Sequence, residues 1–318
     1  MRVTFWGTRG SLPTPLTAQE VKVKIRRALE LARAHHFPDD HAVDAFIEHG
    51  LPFDVKGTFG GNTSCVQLDA GSPEYVLCDA GTGLRAFGNM VLEQHRGDPQ
   101  IYNFFMSHLH WDHIMGFPYF LPAYIKGNLI RIYGCHADLR GGFARQHGPP
   151  SFPVPFDALG ARLEFIPIEP GVPEVIAGFT VTAGKQQHGG DSYGFRFEHD
   201  DKTVVYATDS EHRFESREDE RPFLNLFRDA DVLIFDAMYS LGEAVSMKED
   251  WGHSSNVIGV ELAQRARAKH LVLFHHEPVY DDAMIERVLS DARRYQEITA
   301  DGTQLEISSA YDGMEINL

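Results

Sequence analysis

Four side chains able to bind a metal fall within six residues, in the run Phe105-Met106-Ser107-His108-Leu109-His110-Trp111-Asp112-His113. No other feature constrains the fold as much, because this one asks for an apolar strand that stops abruptly in a turn. Residues two apart on an extended backbone share a side, so His108 and His110 point together. A turn after His110 then returns Asp112 and His113 toward a neighbouring position. Neutral imidazole with carboxylate suits Zn²⁺, and also Mn²⁺ or Fe²⁺. A polar loop that merely happens to end a strand would leave this density of donors unexplained.

Two metal positions need more donors than one motif provides, so later residues must contribute. His188 follows a strand-like run and opens Gly189-Gly190-Asp191-Ser192. Asp209 ends the apolar run Val204-Val205-Tyr206-Ala207-Thr208, and His275 ends Leu271-Val272-Leu273-Phe274. Strand ends are where loops gather functional groups. Taken singly, each is as readily a hydrogen-bonded loop residue; their repetition at strand ends favours function.

Short β-rich runs recur along the chain. The first set is Val3–Trp6, Ser64–Leu68, Tyr75–Cys78, Ile101–Met106, Leu129–Tyr133 and Leu163–Ile168. The second is Phe179–Ala183, Tyr193–Glu198, Thr203–Ala207, Val232–Phe235 and Leu271–Phe274. Gly, Pro, Asp and Ser clusters separate them, as strands commonly are separated. Helical faces lie at Val21, Ile25, Leu29 and Ala32, at Val260, Ala263 and Ala266, and near Met284, Ile285, Val288 and Leu289. Strands without strict βαβ alternation predict a layered α/β domain with mixed sheets. We read residues 1–318 as one domain carrying a helical insertion at about residues 15–57. Lys22, Lys24, Arg26, Arg27 and Arg33 make that insertion basic. It reads as a cap over an anion site or, preferably, as a solvated amphipathic helix.

The chain carries 29 Lys and Arg against 45 Asp and Glu, a formal net charge of −16. Broad electrostatic binding to nucleic acid or an anionic membrane draws on cationic side chains, so neither is expected. Cys65, Cys78 and Cys135 are widely spaced, which argues against a disulfide framework or a CxxC zinc site. The opening MRVTFWGTRGSLP lacks the apolar segment of a signal peptide, and no run is long enough to span a bilayer. Cytoplasmic residence is expected.

The HxHxDH run, with Asp79 in CDAGTG, His188, Asp209 in YATDS and His275 in LFHHEP, resembles the metallo-β-lactamase superfamily in order along nearly the whole chain. The resemblance implies an αββα sandwich of two mixed β-sheets flanked by helices, with metals at one edge. It implies one ion held by His108, His110 and His188, another by Asp112, His113 and His275, and Asp209 between them. Asp79 would support the donors from behind. GTRGSLPTP and GGNTSC resemble the branch that holds ribonuclease Z and related phosphodiesterases. His253-Ser254-Ser255 resembles that branch's His-x-Ser/Thr motif, and Asp236 in LIFDAMY its acidic partner. The competing reading of His253 is a helix-start position beside a Ser cap. The long basic arm with which many ribonucleases Z grip transfer RNA is not evident.

The expectation is a binuclear phosphodiesterase with two divalent ions, zinc first and Mn²⁺ or Fe²⁺ next. It would act on a small phosphodiester such as a cyclic nucleotide. A metal-bridging hydroxide would attack phosphorus, and His253, kept protonated by Asp236, would donate to the leaving oxygen. Asp112, His253 and Asp236 are thus the residues on which turnover should depend. Tyr193, Phe195 or the Phe117–Tyr124 stretch could stack on a base, although core roles are preferred for them. The alternatives are an RNA-processing endonuclease of ribonuclease Z type, or a lactone, thioester or β-lactam hydrolase. Homodimers are expected by analogy with the family.

Overall fold

The structure is a computed structural model describing residues 1–212, 217–244, 251–299, 302 and 304–318. Among the described residues, fourteen strands form two seven-stranded sheets. The first contains β1 (Arg2–Gly7), β2 (Cys65–Asp69), β3 (Tyr75–Cys78), β4 (Ile101–Phe105), β5 (Leu129–Gly134) and β6 (Arg162–Pro167). The second contains β7 (Glu174–Ile176), β8 (Phe179–Lys185), β9 (Tyr193–His199), β10 (Lys202–Ala207), β11 (Val232–Asp236), β12 (His270–Phe274) and β13 (Glu306–Ser309). The last strand, β14 (Glu315–Asn317), returns to the first sheet. The orders are β14-β1-β2-β3-β4-β5-β6 and β13-β12-β11-β10-β9-β8-β7.

Every strand expected from sequence is present within a residue or two of its bounds. The three not expected, β7, β13 and β14, are all edge strands, where only one neighbour pairs. Edge strands are kept short and polar, which leaves too little apolar pattern to detect.

The sheets meet across an apolar layer that takes Val3, Phe5 and Phe105 from one and Phe195, Tyr206 and Phe274 from the other. β11 and β12 are buried along their whole length, because helices cover the second sheet's other face. Those helices, Asn256–Ala266 and Asp282–Thr299, contribute Val260, Ala263, Ile285 and Val288 to a second apolar layer. Helix Leu84–His95 closes the first sheet in the same way through Leu84, Phe87 and Val91. This is the αββα sandwich implied by the sequence.

β3 to β6 run parallel, and so do β10 to β13. Their carboxyl ends therefore collect together, and β3, β4, β10, β11 and β12 deliver site residues there. In the segment after β1, Thr17 caps helix Ala18–Ala32 reciprocally with Glu20. No residue of that helix is buried. Its basic residues are partly committed: Lys24 pairs with Asp282 at 2.6 Å, and Arg27 pairs with Asp54.

Candidate metal centre

The donors stand where strands stop. β4 ends at Phe105, and His110, in extended conformation, caps the short helix Trp111–Ile114. That is the turn expected from sequence, and it brings Asp112 and His113 back under His108. Asp79 just beyond β3, Asp209 beyond β10 and His275 beyond β12 have φ of +59°, +51° and +62°. Non-glycine residues rarely occupy this left-handed region, which costs about 1–3 kcal/mol and persists only where surrounding contacts enforce it. Three instances converge on one cluster.

Among the described residues His253 joins two overlapping groups of donor atoms, one with His188 and Asp209 and one with Asp236 and His275. The other donors form two separate groups, His108, His110 and His188, and Asp112, His113, Asp209 and His275, within each of which the donor atoms lie within 4.8 Å of one another. Asp209 faces both. Its Oδ1 lies 3.2 Å from Nε2 of His113 and 3.2 Å from Nε2 of His275. Its Oδ2 lies 3.5 Å from Nε2 of His108 and 3.8 Å from Nε2 of His188.

Contacts behind the cluster orient these rings. His188 Nδ1 lies 2.7 Å from the Gly252 carbonyl oxygen, so it carries the proton and leaves Nε2 as a lone pair facing inward. His113 Nδ1 lies 2.6 Å from Oδ2 of Asp79. The fully buried Asp79 also accepts from the Ser107 amide, the Ser107 hydroxyl and the Tyr206 hydroxyl. The Ser11 amide donates to Oδ2 of Asp112 at 2.8 Å.

The cluster fits divalent cations. His108 Nε2 is buried without a hydrogen-bond partner, an arrangement that is costly unless the lone pair is used. The Nε2 atoms of His113 and His275 face each other at 3.2 Å. Burial, then His113, pushes His108 well below its ordinary pKa. Burial also opposes charge on His113, yet Asp112, Asp209 and Asp79 hold it well above. Burial alone would raise the pKa of Asp112, but His113 and His275 hold it below the usual carboxylate range. The carboxylates therefore create a demand for positive charge, which metal ions meet at such sites.

Beside the two groups sits His253, its Nδ1 2.9 Å from Oδ2 of Asp236. Its ring centre is 5.0 Å from that of His188 and 5.1 Å from that of His275. Burial would depress its pKa, but the charge and hydrogen bond of Asp236 outweigh this, with Asp209 and Asp112 adding, and raise it to about 9. Ser254 donates to the Ser210 carbonyl, and Ser255 caps helix Asn256–Ala266. The segment thus carries both a helix cap at Ser255 and the His253–Asp236 contact, and the cap anchors the backbone that presents His253.

All nine sequence-expected site residues thus converge. Three further contacts were not expected: the Gly252 carbonyl, the Ser11 amide within GTRGSLPTP and the Tyr206 hydroxyl within YATDS. His276, adjacent to His275, turns away to the Ala310 carbonyl. Among the aromatics, Tyr193, Phe195, Phe117 and Phe120 are core residues, whereas Tyr119 is exposed.

A family model described as the beta-lactamase superfamily domain matches residues 74–276, which hold every one of these donors. The chain belongs to the β-lactamase superfamily. It is 24% identical to ribonuclease Z of Listeria innocua over 257 residues, covering 66% of this chain and 82% of that protein. It is 36% identical to ribonuclease Z of Anoxybacillus flavithermus over 70 residues, a stretch covering only 22% of each. Its fold is similar to that of human tRNase Z, short form (TM-score 0.59, 21% identity, covering 100% and 99% of the two chains). It is also similar to unliganded yeast PDE1 (TM-score 0.61, 15% identity, covering 80% and 95%).

As a β-lactamase-superfamily member the chain is a hydrolase, and its relatives fall in the branch expected from sequence. Superfamily members bind divalent metals, typically zinc, and the His/Asp cluster supplies a matching donor set. Among the described residues no helix is long and apolar enough to cross a membrane.

Proposed function

We propose that this hydrolase is a binuclear metal-dependent phosphodiesterase acting on a small phosphodiester, with 3′,5′-cyclic nucleotides the leading candidates. The observation that carries this reading is the His253–Asp236 pair beside both donor groups. Relatives named ribonuclease Z, enzymes of phosphodiester bonds, support the same chemistry. In this reading residues 1–318 act as one hydrolase domain, with the segment at 15–57 an addition to it.

His108, His110 and His188 would hold one ion and Asp112, His113 and His275 the other, with Asp209 facing both. Bound divalent ions, zinc first and Mn²⁺ or Fe²⁺ next, supply Lewis acidity toward the phosphate and activate water. The protein's own groups do the rest. Asp79 and the Gly252 carbonyl hold His113 and His188 in the tautomers that aim Nε2 inward. With Nδ1 of His253 engaged by Asp236, its Nε2–H is the bond left to donate to the leaving oxygen. Asp236 accepts from the Ser210 and Met238 amides, which fixes the carboxylate and through it the ring.

The relatives' name favours an RNA substrate as the second reading. Electrostatics weighs against it. The chain carries 29 Lys and Arg against 45 Asp and Glu, a formal net charge of −16. Polyanion binding relies on such cations.

The test is hydrolysis by protein reconstituted with Zn²⁺ or Mn²⁺. The panel comprises bis(p-nitrophenyl) phosphate, several 3′,5′-cyclic nucleotides, a precursor transfer RNA, a lactone and a β-lactam. Cleavage of cyclic nucleotides, abolished by Asp112→Ala, is the expected result. Activity confined to the transfer RNA would select the second reading. Activity confined to the lactone or β-lactam would overturn both.

A further inference from the structure

Arg9, in the GTRGS run just beyond β1, is only 2% exposed. Burial lowers its pKa from the ordinary value, with Asp282 and Asp312 acting the other way. A guanidinium taken out of water needs partners, and Arg9 finds them on the backbone. Its Nε donates to the Gly60 carbonyl at 2.9 Å, and one terminal nitrogen donates to the carbonyls of Glu277 at 3.2 Å and Tyr280 at 2.7 Å. Gly60 leads into β2 of the first sheet, whereas Glu277 and Tyr280 follow β12 of the second.

The backbone of the same segment makes a second tie between the sheets. The amides of Thr8 and Arg9 donate to the Asn62 carbonyl at 2.9 and 2.8 Å. The Gly10 amide donates to the His276 carbonyl, and the His276 amide to the Thr8 carbonyl, both at 3.0 Å. Arg9 thereby bridges Thr63 on one side and His276 on the other.

The next two residues touch the donors. Ser11, at φ +55°, gives its amide to Oδ2 of Asp112 at 2.8 Å. A Cβ built on Gly10 would lie 2.6 Å from Nδ1 and from Cε1 of His275, so that ring rests on bare backbone. Asp112 comes from the turn after β4 in the first sheet, and His275 from the end of β12 in the second. Oδ2 of Asp112 and Nε2 of His275 are 3.2 Å apart. Their separation therefore depends on how the two sheets are held together at this edge. One planar guanidinium can satisfy carbonyls from both sides at once; the compact ammonium of Lys lacks that fork, and an apolar side chain would leave the carbonyls unpaired.

We infer that Arg9 is a positioning residue for the ion that Asp112, His113 and His275 would hold. It fixes the Gly10–Ser11 backbone against Asp112 and His275, and so sets the span of that donor group. The inference rests on the grouping of donors given above and is independent of which bond is hydrolysed.

A plain staple between loops would act on both metal positions alike, so single-site backgrounds separate the two roles. His188→Ala should keep the ion of Asp112, His113 and His275, and His275→Ala the ion of His108, His110 and His188. Zinc affinity of each is read by competition against a chromogenic chelator. Arg9→Lys added to His188→Ala should lower that affinity about 10–100-fold, the usual effect of disturbing what lies behind a metal ligand. Added to His275→Ala, it should leave the affinity unchanged. Gly10→Ala keeps the guanidinium and presses on the His275 ring, so it should show the same asymmetry, and it decides the matter if Arg9→Lys does not fold. Equal loss in the two backgrounds, or none in either, would overturn the inference. Backgrounds that do not each retain one ion would overturn the donor grouping, and the role of Arg9 with it.

Discussion

Oδ2 of Asp236 lies 2.9 Å from Nδ1 of His253 and 3.0 Å from the amide nitrogen of Ser210, so a single carboxylate oxygen joins the imidazole to the loop that carries Asp209. The ring is positioned by the same loop that supplies the carboxylate facing both donor groups. Position and chemistry are therefore set together, which gives the site several separable parts.

Replacing His253 by Ala should leave metal content unchanged while slowing departure of a poor leaving group. The loss in kcat should be about 10²–10⁴-fold for a nucleoside or alkyl diester, the range usual for a positioned acid. A p-nitrophenyl diester, whose leaving group needs no proton, should lose far less. Elemental analysis decides the role: if His253→Ala sheds metal as His275→Ala does, then His253 is a ligand.

Asp209 has one oxygen toward each group, whereas His275 serves only one. Asp209→Ala should therefore weaken both metal positions, and His275→Ala should bring the metal-to-protein ratio from two toward one. Both variants should lose nearly all turnover. Equal metal loss in the two would argue that the groups fill as a single unit.

Asp79 touches His113 and no other donor side chain in the cluster, so it acts through that ring. Asp79→Asn should cut metal affinity roughly 10–100-fold, the usual effect of losing a carboxylate behind a histidine ligand. Competition against a chelator measures this. Tyr206→Phe, which removes one of the hydrogen bonds to Asp79, should give a smaller change in the same direction.

Gly252 has φ of +81°, and a Cβ built on it would sit 2.4 Å from Nδ1 of His188. Gly252→Ala must displace either the loop or the ring. The expected outcome is a modest loss of stability, about 1 kcal/mol for the backbone strain. Metal affinity and kcat should fall well out of proportion to that. A variant that loses stability alone would show that the Gly252 carbonyl does not orient His188.

His212 is buried, stacked on Phe235 and edge-on to Phe223, and burial lowers its pKa to about 3 despite the nearby charge of Asp236. The sign follows from linkage. Below its ordinary value of 6.5 the unfolded chain takes up a proton that the folded protein refuses, so stability is lost as pH falls from about 6.5 toward 3. The limiting slope is ~1.4 kcal/mol per pH unit. Against a His212→Leu variant, the parent protein's urea midpoint should decline more steeply over that window. Parallel declines would mean that His212 titrates freely in the fold.

Much of this was legible in the residues themselves. The HxHxDH run announced both a donor set and the turn that delivers it, because imidazole and carboxylate at the end of an apolar strand have few other uses. The helices at Val260–Ala266 and Met284–Leu289 were likewise visible through their apolar period. The edge strands β7, β13 and β14 were not, since a three- or four-residue polar strand differs little from a loop. Tyr193 and Phe195 illustrate another gap. Their strand could be read, but only the packing of two sheets shows that both rings lie in the interior.

The sequence by itself determined which chemistry was possible: the kinds of donor, their places at strand ends, and a family resemblance that named their partners. Only the tertiary structure decided which donors meet. His113 and His275 are 162 residues apart in the chain and 3.2 Å apart across their ring nitrogens. Strand register and the left-handed residues after β3, β10 and β12 bring such pairs together, and both depend on contacts across the whole fold. Donor identity is carried by single side chains, whereas the distance between donors belongs to the packing of the sheets that hold them.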